Sequence, residues 1–148
     1  MAIARGAGTE IVRSVLLEAV ANSAKPVIFG VAHHVYTVLS ITSFAVAVAT
    51  DANWIGAYLT GYDSMAGTTG ETIWIFKNDM SVAQTFVWND KFSFNGNEPT
   101  DFTGPVDDAA KQNAIADQAQ ATAQVLYMIS EGADNFDITC TFIDQNNA

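Results

Sequence analysis

Across 148 residues the chain carries 6 Lys+Arg against 16 Asp+Glu, a formal net charge of −10. That balance argues against a nucleic-acid binder and against docking on anionic membrane, because both draw their affinity from cations. With 49% hydrophobic and only 15% charged residues, the chain is apolar for one domain, and it is long enough to bury a core without disulfides or metals.

The charge is unevenly placed. Residues 1–25 hold Arg5, Arg13 and Lys25 against Glu10 and Glu18, a balance of 3 − 2 = +1, and the remainder holds 3 Lys against 14 carboxylates, or −11. A faintly basic arm on an acidic body suits assembly of like with like, although acidity also simply keeps a protein soluble. No stretch approaches the ~20 apolar residues of a membrane span. The opening MAIARGAGTE lacks the hydrophobic segment of a secretory signal. Cys140 has no partner cysteine, and no Asn-x-Ser/Thr sequon occurs. Together these features predict synthesis and assembly in a reducing cytoplasm.

In chain order, residues 1–9 are Ala/Gly-rich and read as an arm, leaving 10–148 as a single domain. Residues 10–20 alternate poorly, so strand and helix both remain open. A turn over 22–25 precedes Pro26. Residues 27–50, rich in Val, Ile, Phe, Thr and Tyr, predict two or three strands, including 36–41 and 44–49. Strands are predicted over 54–62 and 71–77, with a Gly/Ser/Thr loop at 63–70 and a turn at 78–81.

The run TFVWNDKFSFN (85–95) places Phe86, Trp88, Phe92 and Phe94 on even positions. In a strand these four rings share one face and form a candidate aromatic core. Asp90 falls on that same face, and a buried unpaired carboxylate is costly. A bulge or three-residue loop over 89–91 would release Asp90 and keep the rings together. A polar connection over 95–105 then leads to one inserted helix near 106–123, with Pro105, Asp107 and Asp108 at its start. Strands at 125–129 and 136–143 close the chain; Phe136, Ile138, Cys140 and Phe142 alternate with polar residues. Seven or eight short strands with one helix predict a mainly β fold, an antiparallel β-sandwich of jelly-roll-like form with an extended N-terminal arm.

Reaction chemistry is not evident. His33-His34 would point to opposite faces of a regular strand and could not share a metal, and one Cys cannot complete a zinc site. Ser64 lacks the flanking glycines of a nucleophile elbow, and GTTGE (67–71) lacks the Lys of a phosphate loop. Asp134, Asn135 and Asp137 lack EF-hand spacing and read as a turn, and Asp107-Asp108 suits helix capping. Trp54, Trp74 and Trp88 suggest a sugar platform, but their strand context favours core packing or subunit contact. The chain is expected not to be an enzyme, with no catalytic residue, no metal site and no cofactor.

At GTEIVRS (8–14), FGVAHHVYTVLS (29–40), QTFVWNDKFSFNGNEPTDF (84–102) and CTFIDQNN (140–147) the chain resembles small virion structural proteins of tailed bacteriophages. The resemblance implies a capsid or tail component, with head decoration (cement) proteins the best-fitting class: small, acidic, β-rich and often trimeric. It implies a homo-oligomer, a trimer favoured, bound to the major capsid protein or other virion proteins at the capsid surface. An extended N-terminal arm that laces onto a neighbour is common in such proteins, and residues 1–9 fit one. No contact residue is carried over from the resemblance; Ile3, Arg5 and Arg13 of the faintly basic N-terminal region are the candidate assembly contacts. The alternatives are a tail, neck or baseplate component and a carbohydrate- or receptor-binding module.

Overall fold

The computed structural model describes residues 8–62, 71–99, 104–118 and 121–147. Eleven strands occur among them: β1 (Thr9–Val20), β2 (Lys25–Phe29), β3 (His34–Ala47), β4 (Trp54–Tyr62), β5 (Glu71–Asp79), β6 (Thr85–Trp88), β7 (Phe92–Asn95), β8 (Asn97–Pro99), β9 (Ala121–Ala123), β10 (Val125–Ser130) and β11 (Asn135–Asn146). One helix, α1 (Ala109–Asp117), lies between β8 and β9. The first sheet runs β1-β11-β3-β6, with β7 also on β3, and the second runs β2-β10-β4-β5. All the ladders are antiparallel. Counting β6 and β7 as one interrupted strand, each sheet has four strands, and the strand order is that of a jelly roll.

Between the sheets lies one core. β11 supplies Phe136, Ile138, Cys140 and Phe142, all at most 5% exposed, which is the period-two alternation of its sequence realised in three dimensions. Ile55, Ala57 and Leu59 of β4 and Leu126 and Met128 of β10 face them from the second sheet. Burial holds Cys140 as a thiol, with its pKa pushed up to about 12.

Residues 34–47 form one long strand where two were expected at 36–41 and 44–49. Thr42-Ser43 looks polar, yet Ser43 is buried on the inner face with Ile41 and Ala45, so the alternation continues through it. β6 and β7 form one line along β3, since Ile41 pairs with Trp88 and Val38 with Phe92. Residues 89–91 therefore face only residues 39–40, a bulge of one extra residue. Asn89, Asp90 and Lys91 are all exposed there.

The helix is shorter than the predicted 106–123. Asp108 caps it by accepting from the Lys111 N–H at 2.9 Å, and Gln118 ends it in the left-handed region at φ 50°. Residues 121–123 are strand, paired with β8. The buried Gln118 amide oxygen accepts from the His33 N–H (2.7 Å) and the Asn97 N–H (3.2 Å), which anchors the helix end to the turn before β3 and to the start of β8. The arm boundary also shifts, because Thr9 already belongs to β1 and the Gly8 N–H donates to Asn147 Oδ1 at 2.9 Å. The loop predicted at 63–70, with Ser64, and the arm positions 1–7 lie outside the described residues.

At the far end of the sandwich, Asp134 is buried and ties two loops together. It accepts from the Ala49 N–H (2.8 Å), the Asn53 amide (3.0 and 3.2 Å), the Ser130 hydroxyl (2.9 Å) and the Gly132 N–H (3.2 Å). Burial alone would raise its pKa, but these donors outweigh burial and hold the carboxyl below its usual range.

Candidate functional site

β1 is the edge of the first sheet and has a ladder partner, β11, on one side only among the described residues. Outward side chains at Val12, Ser14 and Leu16 start cross-strand rows, two of which reach the β6–β7 edge and one of which ends at β3. One row is Leu16, Thr139, Thr42 and Val87; a second is Ser14, Thr141 and Ser40; a third is Val12, Ile143, Thr37 and Ser93. None of these residues is ionisable, in a chain of net charge −10. Hydroxyl pairs lace the rows, with Ser14 and Thr141 at 3.2 Å and Thr37 and Ser93 at 2.9 Å. Val12 and Leu16 are 66% and 61% exposed.

Sheet edges invite strand addition unless they are guarded. β2 is five residues long and contains Pro26, and β6 and β7 are broken by the bulge with Lys91. β5 carries Lys77 and Asp79. β1 runs twelve residues with neither Pro nor Lys, although it carries Glu10, Arg13 and Glu18; its one irregularity lies near its end, between Leu17 and Val20.

Beneath β1 the sandwich mouth is open toward β2 and forms an open groove of about 290 Å³. Buried Val27, Ile28 and Phe142 form its floor, and exposed Phe29 and Val31 its rim. Arg13, His34 and Asp144 meet there from β1, β3 and β11. Asp144 is 8% exposed. One of its oxygens lies 3.1 Å from Arg13 Nε and the other 2.6 Å from His34 Nδ1. The His34 ring stacks on Tyr36 at 5.9 Å. The Tyr36 hydroxyl accepts from the Val31 N–H at 3.2 Å; burial and then the Asp144 charge raise its pKa.

Of the predicted assembly contacts, Arg13 lies on β1 and is tied to Asp144, while Ile3 and Arg5 lie outside the described residues. Of the four aromatic-run rings, Phe94 is buried at 5%, and Phe86, Trp88 and Phe92 are half-buried against the core. Phe86 and Trp88 pack on Phe76 of β5, at 5.2 and 5.3 Å. His33 sits in a turn at φ 67° and not on a regular strand. The Arg13–Asp144–His34 cluster was missed by sequence reasoning, and its only sequence signal was a histidine pair.

Trp54 and Trp74 face outward on the second sheet and not into the core. They meet edge to face at 5.6 Å, Tyr58 lies 5.0 Å from Trp74, and Tyr127 stacks on Tyr58 at 5.2 Å. Gly56 lies beneath the indoles; a Cβ there would come within 3.0 Å of Trp74 and 3.2 Å of Trp54. Lys77 holds its ammonium 4.2 Å over Trp54 and 4.1 Å over Trp74. The ring faces of this row are thus engaged within the chain, by a cation and by each other.

No family model matches the chain, and no curated protein matches it. Among solved structures it is similar to a chain of the Bacillus endospore appendages, described as disulfide-linked pili, at 12% identity and a TM-score of 0.42, covering 100% of this chain and 97% of that one. It is also similar to a chain of infectious bursal disease virus, Gx strain (6% identity, TM-score 0.48, 95% of this chain and 33% of that one). A chain of the T13 particle of the same virus gives 7% identity and a TM-score of 0.42, covering 94% of this chain and 36% of that one. This chain spans about a third of each viral chain, and at such identities no residue's role is carried across.

Proposed function

We propose that the chain is a structural virion protein of a tailed bacteriophage, a decoration (cement) protein that binds the capsid shell as an oligomer, a trimer favoured, and stabilises it. The observation that carries the reading is the outer face of the first sheet. In a strongly acidic chain, two cross-strand rows from β1 to the β6–β7 edge and a third from β1 to β3 hold no ionisable residue, and they adjoin the long edge strand β1. Rows without ionisable side chains lose little on desolvation, and main-chain donors and acceptors along β1 can add a neighbour's strand. The sequence resemblance points the reading to tailed phages, with the major capsid protein as partner and no catalytic step.

Electron microscopy of purified particles, with mass spectrometry of copy number, tests it. The expected result is density on the outer capsid surface at a copy number comparable with the shell protein. A few copies confined to the tail or neck make the chain a tail component, and absence from the particle defeats the proposal.

A further inference from the structure

We infer that the groove between β1 and β2 is a binding site for a small hydroxylated carboxylate, of the class of acidic sugars such as uronic and sialic acids. It rests on the groove and not on the shell-binding reading. Three strands far apart in sequence converge there to place Arg13, His34 and Asp144 together, and the groove carries both polar and apolar walls.

Asp144 is the buried organiser. Both of its oxygens are engaged, at 3.1 Å by Arg13 Nε and at 2.6 Å by His34 Nδ1, so its charge is answered inside the protein and does not repel an anion. A carboxylate accepting from Nδ1 fixes the imidazole tautomer. In the neutral ring, Nε2 is then left as an acceptor, and the natural partner of an acceptor is a hydroxyl.

The Arg13 guanidinium is 53% exposed and has five donors in a planar fork, of which Nε serves Asp144. The fork matches a ligand carboxylate. The Tyr36 hydroxyl accepts from Val31 and retains its own proton to donate. Phe29 and Val31, 65% and 51% exposed at the rim, offer apolar surface to the C–H face of a sugar ring.

Size and charge narrow the class. A cavity of about 290 Å³ stands at the lower end of small-ligand sites, which run from about 300 Å³ upward, and it suits one monosaccharide. With the Arg13 charge already answered by Asp144, a ligand carboxylate is held by the remaining guanidinium N–H donors, and a phosphate dianion is disfavoured in a chain of net charge −10. Arg13 at the mouth excludes a cation.

The test is an amide NMR titration of the full chain with glucuronate and N-acetylneuraminate, with glucose and acetate as controls. Arg13→Gln and Phe29→Ala are titrated alongside, their folding checked by thermal melts. Phe29 is mostly exposed, so its variant keeps the test decisive even if loss of Arg13 unfolds the protein. The expected result is saturable shifts at groove residues with at least one acidic sugar, weaker by roughly tenfold or more in each folded variant, and none with glucose. No saturable shift with either acid overturns the inference. So does acetate or glucose binding as tightly as the acidic sugars, or unchanged affinity in Phe29→Ala.

Discussion

Trp88 stacks on Phe76, with ring centroids 5.3 Å apart and planes 20° apart, and so joins the edge of one sheet to the edge of the other. β6 and β5 are closed along that side by aromatic contact. On the opposite side, between β1 and β2, a cavity lies open. One flank is thus closed by rings, and the other carries the long edge strand β1 and the charged cluster.

Trp88→Ala should destabilise the fold by about 2–4 kcal/mol, toward the lower part of the range for removing a large ring, because the side chain is only half-buried. Trp88→Phe should cost much less, since the Nε1–H it deletes is buried with no partner among the described residues. Asp90→Ala, on the exposed bulge, should stay within about 0.5 kcal/mol of wild type. Thermal or urea unfolding of the three variants checks the order; a larger loss for Asp90→Ala than for Trp88→Ala would contradict this placement.

Asp134 should make the protein acid-sensitive. Its folded pKa is held below the ordinary 3.8, so the network stabilises the fold above that pH, and the stabilisation is lost as pH falls below 3.8 through the lower folded value. Asp134→Asn should cost about 1–3 kcal/mol at neutral pH, because an amide places a donor where the site offers donors. It should also flatten the acid limb of the stability profile. An unchanged acid limb in Asp134→Asn would show that other carboxylates set it.

Cys140 should be inert in the native protein, being fully buried with its thiol pKa pushed up to about 12. A thiol reagent at neutral pH should label it only through unfolding or local opening, and completely in denaturant. Labelling of the native protein at the rate of a free thiol would contradict the burial.

The β-sandwich was legible where one face of a strand is buried and the other wet, as from Phe136 to Phe142. β1 was not legible, because an edge strand meets water on both faces and here puts apolar residues on both, Ile11 beside Val12 and Leu16 beside Leu17. In β4 both faces are apolar as well, so alternation alone could not say that Ile55, Ala57 and Leu59 point inward and Trp54 outward. The Arg13–Asp144–His34 cluster brings Asp144 to His34, 110 positions away in sequence, and to Arg13, farther still; only the jelly-roll connectivity brings them together. Ala and Gln content between 106 and 123 suggested one helix, but Gln118 in a left-handed conformation ends it.

Sedimentation velocity at micromolar concentration tests the proposed assembly through β1 and the rows without ionisable residues beside it. Val12→Lys and Leu16→Lys place a charge on side chains already 66% and 61% exposed, so stability should change by no more than about 0.5 kcal/mol. Wild type should sediment as an oligomer, a trimer being three times the 15.8 kDa chain, and both variants should shift toward the monomer. A wild-type protein that sediments as a monomer, or variants that assemble as well as wild type, would contradict it.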